Sequence, residues 1–312
     1  DLIINKPILS EFQFQIVKKL TINSLKKDKE NPFNNCFEKW RKIVYSTHPY
    51  AFNSSGYEKD ISRLRYEDIL SEYEKFKHRK KYLISNNKLI KGNYLENSDK
   101  NLTEKNLSYK NKDLSKKERF VSSYHTSNQT IMMLGNQTCS RSSSEYLPLR
   151  VLEAHLSYGM SSVLFKLFRE RNGITYDVGV YSSVKKRNAP FLVYLSVGNK
   201  NALLAFDLLT KLWKELLFSL IPQEEIYLAK EKLKSSFLLN NQSLDEILHR
   251  ELQLISYGMP PSSDNDCLSK IEEVTSEQIH KLTNKFFAKP FLSITGKKNI
   301  CLEINKKWRE SF

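Results

Sequence analysis

Apolar residues recur along this chain with two different periods, one typical of helices and one typical of strands. Apolar positions three and four residues apart predict helices over residues 9–29, 32–44, 66–76, 145–156, 199–218, 222–239, 244–256 and 276–287. Strict alternation, or a short apolar run, predicts strands over residues 82–84, 129–135, 174–180, 190–197 and 291–295. Strands and helices together in these numbers predict a protein of the α+β class.

Two local signals sharpen this pattern. Ser10 with Gln13, and Thr275 with Gln278, have the spacing of a capping box at a helix N-terminus. The helix over residues 199–218 carries an apolar stripe at helical spacing, which we interpret as a core-facing surface. The stripe consists of Ala202, Ala205, Leu209, Leu212 and Leu216.

The domain organisation is predicted from a polar segment in the middle of the chain and from a helix pattern that occurs twice. Residues 96–117 are polar and charged, which predicts an exposed linker between a first domain over residues 1–95 and a second over residues 118–312. The helix near Ser10 corresponds to the one near Gln223 at an offset of about 210 residues, an offset that later elements share. We therefore expect two related domains, of which the first lacks about half of its residues.

Composition excludes some classes of protein. The chain has 312 residues, of which 40% are hydrophobic and 12% aromatic, as in globular proteins. Its apolar runs are shorter than the roughly 20 residues that span a bilayer, so no membrane association is expected. The net charge of +15 is spread along the chain without a nucleic-acid-binding motif, so the sequence does not favour nucleic acid as a partner.

The cysteines and histidines give no metal-binding motif. The four cysteines have no CxxC spacing, which favours reduced thiols and a cytoplasmic location, while a periplasmic or organellar location stays open. His48 precedes a proline and has no second histidine nearby, so we interpret it as a structural residue.

The most informative segment covers residues 158–183, where a helix passes into a strand. Ser161 or Ser162 is placed to cap this helix, and Gly173 is placed to end it in the left-handed conformation. The turn is expected to bring the Arg169 guanidinium near the Tyr176 phenol, and both groups donate hydrogen bonds to carbonyls or oxyanions. The plainer interpretation is an arginine that complements the helix dipole beside a packed tyrosine.

This segment resembles the second domain of peptidase family M16, the family of insulinase, pitrilysin and the mitochondrial processing peptidase. Its typical pattern, GGGMSSRLF…LRE…GL.Y, is thinner in glycine here, because Ser157 and Tyr158 replace two glycines. The resemblance implies two related domains, each a β-sheet covered by helices. It also implies that Arg169 and Tyr176 hold the substrate backbone opposite a zinc site. The matching residues are Gly159, Met160, Ser161, Ser162, Leu164, Phe165, Phe168, Arg169, Glu170, Gly173 and Tyr176.

The zinc ligands of the family are absent from this sequence. Its members use an HxxEH helix and a later glutamate, but the six histidines contain no such pair. Alignment on Pro32 puts Ser24 at the usual glutamate position and Val17 at a second acidic position. The resemblance therefore implies a subunit that does not bind zinc, with the metal in a partner subunit or in an N-terminal segment outside this sequence.

Three functions remain open from the sequence. The first is peptide hydrolysis within a homo- or heterodimer of M16 subunits, where this chain supplies Arg169 and Tyr176 to a peptide substrate. The second is a non-catalytic scaffold of the same family. The third, binding of a polyanion, depends on charge alone.

Overall fold

The computed structural model describes residues 7–46, 48–79 and 118–312, apart from the side chain of Tyr176. Among these described residues, four helices precede residue 80, and five strands and seven helices follow residue 117, together with short 3₁₀ turns and one π-helical segment. None of the described helices is long and apolar enough to cross a membrane.

The first helices are α1 (Glu11–Glu30), α2 (Pro32–Tyr45), α3 (Glu58–Arg63) and α4 (Tyr66–Lys77). The strands are β1 (Phe120–Tyr124), β2 (Gln129–Gln137), β3 (Thr175–Ser182), β4 (Pro190–Gly198) and β5 (Phe291–Gly296). The later helices are α5 (Tyr146–Ser157), α6 (Ala202–Phe218), α7 (Gln223–Asn240), α8 (Leu244–Ser256), α9 (Ser263–Ser269), α10 (Ser276–Phe287) and α11 (Lys298–Ser311).

The five strands form one mixed sheet in the order β1-β5-β2-β4-β3. β1 and β5 are parallel, whereas the other neighbouring pairs are antiparallel. Among the described strands, β3 therefore lies at one edge and pairs only with β4. The α+β class predicted from the sequence is confirmed.

The main core lies on one face of the sheet, beneath α5, α6, α7, α10 and α11. Phe191, Val193, Leu195 and Val197 alternate along β4 and all point into this core, as the period of two requires. The predicted stripe of α6 is also buried there, which confirms it as core. Burial of this apolar face is the main favourable contribution to folding.

The opposite face of the sheet is covered by α2. Trp40 is fully buried there and its indole Nε1 donates to the carbonyl of Phe291 at 3.3 Å. Cys36 packs beside it against Ile131 and Met133 of β2, residues that alternate with the strand positions facing the main core. A strand buried on both faces reads as a continuous apolar run, which explains the run of residues 131–134. Helices before residue 80 and strands after residue 117 thus share a core.

Most predicted elements agree with the structure to within a few residues. Ser10 Oγ accepts from Gln13 N at 3.2 Å, and Thr275 and Gln278 form the complete capping box. The sequence pattern did not reveal α3, β1, α9 or α11, which the structure adds. The predicted strand over residues 82–84 and the predicted linker over residues 96–117 lie outside the described residues, and the domain boundaries remain predictions.

The helix order on the two sides of residue 100 is the same. α1, α2 and α4 begin at Glu11, Pro32 and Tyr66, and α7, α8 and α10 begin at Gln223, Leu244 and Ser276. The three offsets are 212, 212 and 210 residues. This regular spacing supports the prediction of related domains, although the described part of the first region contains helices only.

Candidate functional site

The segment singled out in the sequence forms the connection between α5 and β3. After α5 ends at Ser157, Gly159 adopts a φ of 73° and Met160 is 76% exposed. The backbone turns back at once, because Ser162 N donates to the carbonyl of Gly159 at 3.1 Å. The glycine permits this left-handed turn, and the connection presents its tip to solvent.

The helix that follows has π geometry over Phe165–Arg171, not the α geometry expected from the sequence. The carbonyl of Ser162 accepts the first helical bond, from Lys166 N, but the N-terminus of the π segment has no side-chain cap, so the predicted serine cap is not observed. Gly173 ends the segment with a φ of 58°, which confirms the predicted left-handed stop. π-Helical turns are rare and are found preferentially at functional sites.

The first residues of β3 form a bulge at Tyr176. Thr175 pairs with Val197 and Asp177 pairs with Ser196, so the backbone of Tyr176 is the extra residue between them. Thr175 Oγ1 stabilises this bulge from inside: it accepts from Asp177 N at 3.2 Å and lies 2.6 Å from the carbonyl of Ser196, to which it donates. A bulge changes the direction of side chains and is common next to active sites.

The structure places Arg169 and the backbone of Tyr176 on two consecutive irregular elements. Arg169 is exposed, and its guanidinium stacks over the ring of Phe165 at 5.2 Å from the centroid. Phe168, one residue earlier, is fully buried and anchors the segment to the main core. The side chain of Tyr176 lies outside the described part of the structure, so the predicted proximity of the two groups remains a prediction.

A cleft of about 540 Å³ lies beside the π segment, between it and α6 and α7. Lys166, Leu167 and Arg171 line this cleft, whereas Arg169 does not. His155 of α5 lies in its wall and is only 8% exposed. Burial, assisted by the charge of Lys232, lowers the pKa of His155 to about 4. Glu225 lies 3.6 Å from its Nε2 but is half exposed, so its attraction does not offset the desolvation.

The described residues do not fit a zinc site. No three of their histidine, cysteine, aspartate and glutamate side chains are grouped closely enough to hold a metal ion. Ser24 and Val17, at the positions where acidic residues were expected, are exposed on α1. His48 accepts from Tyr50 N at 3.1 Å through Nδ1 and packs against Tyr45, as expected for a structural residue.

Sequence reasoning missed the residues that shape this site. Thr175 lies within the strand predicted over residues 174–180, and in the structure it is 5% exposed and supports the bulge. A threonine two residues after Gly173 gives no distinctive signal in the sequence, because a β-branched hydroxyl residue is ordinary in a strand. The π geometry likewise has no distinctive signal.

Comparison with known proteins agrees with this geometry. The family model described as the peptidase M16 inactive domain matches residues 85–233, a range that begins before the predicted linker. A Rickettsia felis protein described as an uncharacterized zinc protease is 23% identical over 300 residues, which are 92% of this chain and 70% of that protein.

Solved structures show the same fold at low sequence identity. A peptidase M16 inactive domain from Pseudomonas fluorescens has a TM-score of 0.75 at 20% identity, covering 95% of this chain and 73% of that chain. A protease from Helicobacter pylori has a TM-score of 0.73 at 14% identity, covering 92% and 72%. A chain of complex III2 from Candida albicans has a TM-score of 0.68 at 12% identity, covering 94% and 74%.

The sequence match covers the segment that carries the candidate site and the strands β1 to β4, and the solved structures reproduce the fold around them. The family model that matches this region is described as an inactive domain. The chain is therefore similar to peptidase family M16, and the match to the inactive domain of that family covers residues 85–233.

Proposed function

We propose that this chain is the substrate-holding partner in peptide hydrolysis by an M16 assembly whose zinc is bound by another subunit. In this proposal Arg169 and Tyr176 bind the backbone of an extended or unfolded peptide. The zinc protease description of the Rickettsia felis relative supports the reaction class.

The observation that carries the proposal is the exposure of Arg169 on an irregular backbone. The guanidinium forms no ion pair among the described residues, and its contact with the ring of Phe165 is a cation–π contact at 5.2 Å from the centroid. The planar edge, with its five N–H donors, is therefore free to bind a peptide carbonyl. The fully buried Phe168 and the left-handed Gly173 fix the backbone on either side of this arginine.

The chemistry follows from the donors. A guanidinium aimed at a scissile carbonyl stabilises the negative charge that develops on its oxygen during peptide hydrolysis. The bulge at Tyr176 gives the backbone there a different direction from that of a regular strand. β3 is also an edge strand among the described strands, and an edge can pair with an extended peptide.

The test is a reconstitution with an M16 subunit that carries HxxEH. The full-length chain, mixed with this subunit, is assayed on a library of unstructured fluorogenic peptides. The Arg169→Ala substitution is expected to lower kcat/KM about 10²- to 10³-fold, the effect of removing one oxyanion donor. Tyr176→Phe removes only the hydroxyl and is expected to have a smaller effect.

Arg171→Ala is the matched control, because Arg171 is exposed at the end of the same π segment. It is expected to leave kcat/KM unchanged. If Arg169→Ala and Arg171→Ala have equal activity in a complex that cleaves peptides, Arg169 does not hold the substrate.

A scaffold function is the second candidate, and one observation favours it. α1 and the residues before it expose large apolar side chains, including Ile8 at 85% and Phe12 at 76% of their surface, as a protein-binding surface would. The Candida albicans chain of similar fold is part of complex III2. Stable association with a second protein, without cleavage of any peptide in the library, would support the scaffold and contradict the peptidase proposal.

A further inference from the structure

A second site lies at the far end of β3 from Tyr176, around three arginines. Arg141, Arg150 and Arg250 line a cavity of about 190 Å³ between α5, α7, α8 and α9. Its wall also includes Leu147, Leu233, Phe237, Leu254 and Leu268. The cavity therefore combines cationic and apolar walls.

The carboxylates near these arginines do not balance their charge. Asp264 contacts two of them, through Oδ1 with Arg141 Nη2 at 2.5 Å and through Oδ2 with Arg250 Nε at 3.2 Å. Glu153 pairs with Arg150. Burial raises the pKa of Glu153, which means that burial disfavours the ionised form of this carboxylate. Three guanidinium groups thus share two carboxylates, and the excess is one positive charge.

Arg141 is the most deeply placed of the three. It is 3% exposed and its guanidinium lies over the ring of Tyr146 at 4.2 Å from the centroid. Its other contacts are the carbonyl of Ser263 at 3.3 Å and the sulfur of Cys267 at 3.5 Å. Its Nε is buried and has no hydrogen-bond partner in the described part of the chain. A buried donor without an acceptor, on an arginine that lines a cavity, is destabilising unless a ligand supplies the acceptor.

We propose that this cavity binds a small carboxylate with an apolar tail. The carboxylate would neutralise the excess charge and accept from Arg141, since a guanidinium fork matches the two oxygens of a carboxylate. The leucines and Phe237 would contact the tail. A water molecule occupies about 30 Å³ in the liquid, so the cavity has room for a molecule of about six or seven heavy atoms. A free short-chain acid and the last residue of a peptide share this chemistry.

The experiment measures binding of isovalerate to the full chain by calorimetry. We expect saturable binding with a Kd in the millimolar range or tighter, and no binding of isovaleramide, which has the same shape without the charge. Inorganic phosphate is an anion without an apolar tail, so it tests whether the apolar wall contributes to binding. It is expected to bind more weakly than isovalerate. N-acetyl-leucine, whose acetylated amide would extend out of the cavity as the rest of a peptide would, distinguishes the two sources. Tighter binding of N-acetyl-leucine than of isovalerate identifies a peptide terminus, and the reverse order identifies a free acid.

Arg141→Met is expected to weaken isovalerate binding at least about ten-fold, the loss of one charged hydrogen bond. Arg309→Met, on the exposed side of α11, is the matched control and should bind as the wild type does. Arg250→Gln provides the same test if Arg141→Met does not fold. In the wild type, the Nε–H resonance of Arg141 should shift on addition of isovalerate more than that of Arg309. Equal binding of isovaleramide or phosphate, or no binding of isovalerate at up to about 10 mM, would overturn the proposal.

Discussion

Two regions of this protein use arginine in opposite ways. Arg169 lies exposed on a π-helical turn, against one aromatic ring. Arg141 lies almost fully buried, with Asp264 shared between it and Arg250. An exposed guanidinium contributes little to folding and is available to a substrate, whereas a buried one must be paired or it destabilises the fold. The difference in burial therefore indicates that Arg169 is available for recognition, whereas the fold depends on Arg141.

The largest effect is expected where the buried pair is broken. Asp264→Asn leaves two guanidinium groups without their carboxylate, which should lower the free energy of unfolding by about 3–5 kcal/mol. Urea denaturation measures this loss. Asp207→Asn is the matched control, because Asp207 is 51% exposed and pairs with Lys307 at the surface. It should cost less than about 1 kcal/mol, and equal losses in the two variants would contradict the contrast.

The pH dependence of stability is expected to come next, through His155 in the cleft beside the π segment. Because its folded-state pKa of about 4 lies below the ordinary value, the unfolded chain binds this proton more readily. The free energy of unfolding should therefore fall as pH decreases from about 6.5 to 4, by on the order of 2 kcal/mol from this group. In His155→Gln the free energy of unfolding should depend less steeply on pH over this range. An unchanged pH dependence would show that His155 does not cause it.

A smaller effect is expected at the turn that ends the π segment. Gly173→Ala places a side chain at a φ of 58°, where an L-residue costs about 1–2 kcal/mol. Nothing lies within 4 Å of the added methyl group, so the backbone alone carries this cost. Gly198→Ala is the control, since Gly198 has a φ of −59° and equally open surroundings. Thermal unfolding should show a lower Tm for Gly173→Ala only.

The smallest effect is expected on the stability of Arg169→Ala. Loss of an exposed side chain with one aromatic contact should change the free energy of unfolding by less than about 0.5 kcal/mol. Together with a large loss of peptide hydrolysis in the reconstituted complex, this result would separate recognition from folding. A loss comparable to that of Asp264→Asn would show that Arg169 supports the fold.

The sequence predicted those features that depend on local spacing. Gly173 marked the end of a helix, Thr275 with Gln278 marked the start of another, and Phe191 with Val193 marked a core-facing strand. The features it did not predict depend on contacts distant in sequence. Arg141 meets Asp264 from 123 residues away, and nothing near either residue indicates this pair. The bulge at Tyr176 likewise depends on the acceptor that Ser196 offers to Thr175.

The packing of α2 on the sheet buries a cysteine whose reactivity depends on whether this contact is intact. Cys36 is fully buried at this contact, and burial raises the pKa of its thiol to about 12. Only the thiolate reacts rapidly with alkylating reagents, so this sulfur is protected while α2 remains in place. The rate of Cys36 alkylation thus reports how often this sulfur becomes exposed, and a rate faster than that of global unfolding would show that the N-terminal helices separate from the strands locally.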